Sequence, residues 1–196
     1  MAKIFDEILL KGIRSGHMPG RTSAARKWYR DKAKSLGRLS DAEFIREDHT
    51  FRSRFHIGGM YFFHYDPKHK KTLPYYDSFP LIFPIDSGPG YILGLNFHYL
   101  PYTLRAKLMD ALYEHVSNDR FDDKTRMKAT YGILKSASKY KEFQPTIKKY
   151  LLSHIRSKLV YVHPTEWDIS LFLNVASFNK KSQTQVWAES RKKIRR

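Results

Sequence analysis

The sequence predicts an α+β fold, in which a small central antiparallel β sheet or SH3-like barrel is flanked by basic N-terminal and C-terminal helices. One observation is the period of the apolar residues, which is helical near both ends and alternating in the centre. A second is charge, because residues 1–54 carry +6, residues 55–104 carry zero and residues 105–196 carry +11. A third is that 13 of the 29 aromatic residues lie in the neutral centre.

These observations divide the chain into four predicted parts. We expect a basic helical N-terminal arm over 1–54 and an aromatic β core over 55–104. A helical region over 105–179 packs on that core, and a basic C-terminal tail follows over 180–196.

Within the N-terminal arm, the apolar residues of IFDEILL repeat at helical spacing and predict a short amphipathic helix. The glycines and Pro19 between positions 12 and 20 end it. A second helix is predicted from a cap at Thr22 or Ser23 to about Leu36, because Gly37 follows as a stop signal.

The centre predicts three strands, over 57–65, 81–85 and 91–100, separated by turns at Asp66-Pro67 and at SGPG. Pro80 and Pro84 cannot donate to a β ladder, so we expect them at edges or bulges.

The stretch FFHYDPKHKKTLPYYDSFPLIFP, over 62–84, has two interpretations. Its aromatic residues either form a β core, with alternate residues such as Phe62 buried on a single face, or they form a platform on which nucleic-acid bases stack. The neutral surroundings favour the core.

Beyond the centre the helical period returns. Helices are predicted over 101–116, where Pro101 is a start signal, over 124–140 and over 145–159. A short strand is predicted over 159–162, a helical turn begins at Pro164, and the basic tail is helical in its middle.

Composition and motifs limit the possible functions. The 196 residues contain no cysteine, which excludes disulfides, thiolate zinc sites and cysteine nucleophiles. No apolar run is long enough to predict a transmembrane helix, and Asp6 and Glu7 interrupt the N-terminal apolar segment, so neither a membrane partner nor a secretory signal is expected.

Enzyme motifs are missing as well. The sequence has no P-loop, no G-x-S-x-G, no H-E-x-x-H and no Glu-x-Lys, so we expect no enzyme, no cofactor, no metal and no small-molecule substrate. A metal-dependent nuclease stays the weaker alternative, and it would have to bring together the central histidines and aspartates His64, His69, His98, Asp66 and Asp77.

The net charge of +17 favours a polyanionic partner. No module that reads bases is present, so we expect contacts with the shape and backbone of DNA.

Arg26, Arg30 and Lys34 fall on one face of the predicted second helix. Lys32 and Lys158 belong to the same basic stretches as the candidate phosphate-binding residues, which are Arg14, Arg21, Arg26, Lys27, Arg30, Lys34, Lys148, Lys149, Arg156, Lys180, Lys181, Arg191, Lys192 and Lys193.

Several segments resemble virion proteins of T4-like myoviruses, specifically the DNA end protector protein family. They are GMYFFHYDPKHKKTLPYYD, FPLIFPI and LNFHYLP, with RKWYR near the start and EWDISLFL near the end. The resemblance brings no catalytic residues. It implies a virion protein of the head or neck that sits on the ends of double-stranded phage DNA, shields them from host exonuclease and helps to complete the head before the tail joins.

The same resemblance implies an assembly role in the host cytoplasm beside other virion proteins of the portal, neck or baseplate. A second interpretation stays open. The protein is then a purely structural neck or baseplate component whose basic arms bind acidic protein neighbours and not DNA.

Overall fold

The structure, a computed structural model, describes residues 4–17, 24, 51–116, 123–163, 167 and 176–194. Its helices are α1 (Ile4–Arg14), α2 (Tyr102–Val116), α3 (Asp123–Ala137) and α4 (Gln183–Ile194). Its strands are β1 (Phe51–Arg52), β2 (Met60–Phe62), β3 (Tyr76–Asp77), β4 (Leu81–Gly88), β5 (Tyr91–Asn96), β6 (Ile147–Leu151), β7 (Leu159–Val162) and β8 (Phe178–Asn179). Short 3₁₀ helices cover Phe97–Tyr99, Gln144–Thr146 and Leu152–His154.

Six of these strands form one antiparallel sheet in the order β1-β7-β2-β4-β5-β6, and β3 pairs with β8 in a second, two-stranded sheet. The predicted α+β class is confirmed. Closure into an SH3-like barrel is not, because the ladder of described strands ends at β1 on one side and at β6 on the other. Pro84 lies at a bulge in the β4–β5 pairing, where a residue without an N–H is tolerated, as expected.

Both faces of the sheet are buried. Met60, Phe62 and Leu81 pack on the front face against α1, α2 and α3, whereas Tyr61 and Phe63 pack on the back face. The aromatic stretch is therefore core, as predicted. Phe62 is buried on one face together with Leu81 and Phe83, as expected. The opposite face is buried as well, because central strands that are covered on both sides carry near-continuous apolar residues.

The predicted helix over 145–159 is wrong. The segment forms β6, which pairs with β5 from Tyr91↔Leu151 to Leu95↔Ile147. In IKKYL the apolar residues stand at i, i+3 and i+4, which is helical spacing, so pairing with the open edge of β5 overrides the local pattern. Tyr150 is buried and Lys149 is exposed, as the alternation of a strand requires.

The other elements differ less from expectation. The helices over 101–116 and 124–140, the strand over 159–162 and the helix within the basic tail are confirmed to within a few residues. α1 continues through Gly12 to Arg14, and β5 ends at Asn96 in a 3₁₀ turn. Most of the predicted second helix and of the turn after Pro164 lies outside the described residues. The four-part division of the chain stays a prediction.

One buried carboxylate joins distant parts of the chain. Asp77, which is 3% exposed, accepts hydrogen bonds at Oδ2 from His98 Nδ1 (2.6 Å) and Asn96 Nδ2 (3.1 Å). Its Oδ1 accepts from the backbone N–H groups of Phe79 and Ser177. Burial raises the pKa of Asp77, but the interaction with His98 and these hydrogen bonds outweigh it, so the pKa of Asp77 lies below its ordinary value.

His98 belongs to the 3₁₀ turn that follows β5, and it is fully buried. Burial lowers the pKa of its ring, which favours the neutral imidazole with its proton on Nδ1, facing Asp77. The His98 carbonyl oxygen accepts hydrogen bonds from Arg105 of α2 (3.2 Å) and from the Trp187 indole of α4 (2.9 Å). The turn therefore sets the positions of both helices.

Truncation of the front-face core should destabilise the protein. Phe62 is 4% exposed and stacks on Phe79, with ring centroids 5.5 Å apart. We expect Phe62→Ala to lower the free energy of unfolding by about 3–5 kcal/mol, because it removes buried area and leaves a cavity. Urea denaturation followed by circular dichroism measures this change. Tyr140→Ala, at a 63% exposed position, is the control and should change little. Equal stability of the two variants would contradict the core assignment.

Removal of the buried Asp77 carboxylate should lower the free energy of unfolding by about as much as Phe62→Ala. Asp77→Ala leaves four donors without their acceptor, and we expect it to lower the free energy of unfolding by about 3–5 kcal/mol. The matched control is Asp86→Ala on the same sheet, where the side chain is exposed and a change within about 0.5 kcal/mol is expected. Near-equal midpoints for the two variants in urea would show that the network is not structural.

Candidate nucleic-acid interface

β6 and α4 each carry basic side chains, and Lys148 of β6 lies near Lys193 of α4. Lys148 is half-buried, with Nζ 4.2 Å from the centroid of the Tyr99 ring. The last turn of α4 carries Arg191, Lys192 and Lys193, all exposed. Burial, with the like charge of Lys193 as a second cause, lowers the pKa of Lys148 to about 8. We call these four residues the α4 cluster.

This arrangement is unfavourable without an anion. A half-buried ammonium group is poorly hydrated, and a second cation beside it raises the free energy of its charged form. Arg191, Lys192 and Lys193 lie at the C-terminal end of α4, where the helix dipole stabilises their positive charge. The cluster is therefore suited to a phosphate oxygen, which would neutralise both lysines.

Two other predicted phosphate-binding residues hold the start of α4 in place. Lys180 adopts a positive φ of 71° and donates from Nζ to the carbonyl oxygens of Lys71 (2.8 Å) and Leu73 (2.7 Å). Lys181 pairs with Glu189 and lies over the Tyr75 ring. These contacts satisfy both lysines within the protein, and they fasten α4 to the loop before β3.

The remaining predicted residues are distributed differently. Lys149 is exposed with its Nζ 3.9 Å from the centroid of the Tyr91 ring, and Arg156 and Arg14 are exposed on other segments. Arg21, Arg26, Lys27, Arg30 and Lys34 lie outside the described residues. The structure thus brings Lys148 near Lys193, which shares the last turn of α4 with Arg191 and Lys192, and it gives Lys180 and Lys181 internal partners.

A groove of about 600 Å³ lies on the back face of the sheet, beside the β4–β5 turn. Its apolar lining includes Phe55, Ile57, Ile92, Leu152, Ile155 and Leu159, and its basic residues are Arg52, Arg54 and Lys158. No carboxylate is among the described residues that line it. We call this feature the back-face groove.

The sequence reasoning missed Arg52 and Arg54. The signal was available in the segment FRSRF, because two arginines separated by one residue lie on the same side of an extended chain. Lys158 was noticed only as part of a basic stretch. Its proximity to the arginines depends on β7, which pairs with β1 through Arg52↔Leu159.

The central histidines and aspartates do not assemble a metal centre among the described residues, which contain no group of three or more potential ligands. The Asp77 carboxylate accepts hydrogen bonds from His98 and three further donors. Asp66 pairs with Lys70, and its carbonyl oxygen accepts a hydrogen bond from His154 Nδ1. The nuclease alternative therefore gains no support there. No described helix is long and apolar enough to cross a membrane.

Comparison with known proteins gives one finding. No curated protein and no solved structure matches the chain. A family model described as "Phage T4 terminal DNA protecting protein" matches residues 8–193, from α1 to the last turn of α4. The match confirms the resemblance inferred from the aromatic segments. Because it covers nearly the whole chain, the protein belongs to the family of the phage T4 terminal DNA protecting protein.

Proposed function

We propose that the protein binds the ends of double-stranded phage DNA without reading their sequence and shields them from exonuclease. The α4 cluster is the observation that supports this most directly, because it places two neighbouring lysines where a phosphate would relieve their repulsion. The family match supplies the DNA end as the ligand class.

The charge of the whole chain supports the same function. A net charge of +17 attracts a polyanion over long distances, and each phosphate that a lysine or arginine neutralises releases a counterion. Contacts of this type hold the phosphate backbone and carry no sequence information. Such a protein can protect every genome end, whatever its terminal sequence.

The proposal extends to assembly. In it the protein joins the head or neck in the host cytoplasm, stays in the virion beside portal, neck or baseplate proteins, and helps to complete the head before the tail joins. The basic N-terminal arm over 1–54 and the tail over 180–196 supply the contacts with DNA, and the aromatic core holds them in place. The protein acts by binding and performs no catalysis.

Exonuclease protection tests the proposed function. Purified protein should slow the digestion of linear duplex DNA by a processive exonuclease, and its affinity should fall steeply as salt is raised. Replacement of Arg191, Lys192 and Lys193 together by glutamate should weaken binding and reduce the slope of log K against log salt by about 3. The slope and the half-life of the DNA are the two measurements.

The matched control is replacement of three exposed lysines outside both arms, Lys68, Lys107 and Lys139, by glutamate. The two variants have the same net charge, so an equal loss would show that only total charge matters and would count against the α4 cluster. Equal affinity for linear and circular DNA, with no protection at saturating protein, would contradict end binding. Binding to acidic virion proteins without DNA binding would favour the purely structural interpretation.

The pH dependence of DNA affinity should show whether Lys148 contacts a phosphate. A nearby phosphate stabilises its charged form and raises its pKa above the value of about 8 in the free protein. Binding therefore takes up a proton, and affinity should fall as pH rises from about 7 to about 9, while Lys148 loses its proton in the free protein. Lys148→Gln should bind more weakly at neutral pH and flatten this dependence. Lys149→Gln, the exposed neighbour on β6, should retain it. Titrations monitored by fluorescence anisotropy at several pH values measure the DNA affinity of the wild-type protein and of both variants.

A further inference from the structure

We propose that the back-face groove holds the unpaired last nucleotides of a DNA strand, so that the protein recognises an end through its single-stranded terminus. The inference rests on the proposed function, because it names the part of the DNA end that a second surface binds. Three features support it: the size of the groove, its apolar wall and its charge.

Size excludes a duplex and admits a nucleotide. The groove encloses about 600 Å³, which is within the range of about 300–1,000 Å³ that is usual for sites that bind small ligands. A double helix cannot enter such a space, whereas one or two nucleotides of a single strand can. Interior positions of duplex DNA do not supply unpaired nucleotides, but a frayed or recessed end does.

The apolar wall suits the face of a base. Leu152 is 45% exposed, and Phe55 and Ile155 beside it are half-buried. Phe55 is held by edge-to-face contacts with Tyr61 (5.1 Å) and Phe63 (5.5 Å), so this wall is anchored in the back-face core. Bases pack on such surfaces without regard to sequence.

Charge at the groove suits the phosphates of the same strand. Arg52, Arg54 and Lys158 are exposed side chains in its lining, so the described part of its rim is basic. The guanidinium of Arg52 lies 5.4 Å from the Tyr161 ring centroid, which orients it from the side of β7. A basic rim beside an apolar wall is complementary to a single strand, which presents phosphates and bases side by side.

The groove also lies within reach of the α4 cluster. Leu152 follows β6 directly, and Lys148 is four residues earlier, which is at most about 13 Å in an extended chain. Lys149 has its Nζ over the ring of Tyr91, which lines the groove. A DNA end can therefore place its duplex on the cluster and its unpaired strand in the groove.

The test compares two fluorescent probes, a hairpin-closed duplex with one blunt end and the same duplex with a single-stranded tail of about three nucleotides. We expect the wild-type protein to bind the tailed probe about tenfold more tightly than the blunt one. Leu152→Asp, which puts a carboxylate into the groove, and Arg54→Ala should each bring this ratio close to one. Tyr140→Asp is the matched control, because Tyr140 is an exposed apolar side chain (63%) outside both basic arms, and it should keep the wild-type ratio.

The outcomes separate the two proposals. A wild-type ratio of one, with blunt-end binding and exonuclease protection intact, overturns the groove and leaves the proposed function standing. A tail preference that survives in folded Leu152→Asp and in Arg54→Ala places the tail elsewhere and also overturns the groove. Loss of binding to both probes in the wild-type protein defeats the proposed function and this inference together. Circular dichroism verifies that each variant is folded.

Discussion

The buried carboxylate of Asp77 is the constraint on which the rest of the structure depends. A charge with almost no exposure is strongly unfavourable unless donors surround it, and Asp77 accepts four hydrogen bonds. These donors come from the β3–β4 connection, from the end of β5 and from Ser177 before β8. A chain that misplaces any of these segments leaves the carboxylate unsatisfied, so the network selects a single arrangement of the two sheets.

The position of the α4 cluster follows from the same network. His98 faces Asp77 with its ring and offers its carbonyl oxygen to Arg105 and Trp187. Burial lowers the pKa of Arg105 to about 10, so its guanidinium stays charged at neutral pH and lies over the Tyr102 ring. α4 therefore docks on a turn that is fixed from the other side by a buried carboxylate. The orientation of its basic last turn depends on the core and not only on local helix propensity.

The sequence predicted the elements whose signals are local. Pro101 with the apolar spacing after it was enough for α2, and the turn at SGPG was enough for the β4–β5 hairpin. β6 was not predictable in this way, because its apolar residues follow helical spacing and only the open edge of β5 favours the strand. Burial of both sheet faces was missed for a related reason. The cover on the back face comes from segments around Phe55 and Ile155, which are 100 residues apart in the chain.

Prediction of the candidate site from sequence was limited in the same way, because spatial neighbours are not visible in the sequence. The charge of each segment located Lys148 and the last turn of α4 in basic regions, but it could not show that Lys180 and Lys181 are used to attach α4. Counting charge by segment also made the centre look neutral. Pairing of β1 with β7 brings Arg52, Arg54 and Lys158 to the back-face groove. The central segment has no net charge, but basic residues from outside it therefore lie on the surface of the aromatic core.

Backbone electrostatics alone do not distinguish the end of a DNA molecule from its interior, because the phosphates are the same along the duplex. A protein that protects ends selectively must bind something that only an end supplies. Unpaired nucleotides meet this condition, and they need a site that is narrow, partly apolar and basic at its rim. The back-face groove combines these properties on the face of the sheet opposite the front-face helices. In the proposed function, the α4 cluster supplies affinity for any duplex and the groove supplies the preference for its end.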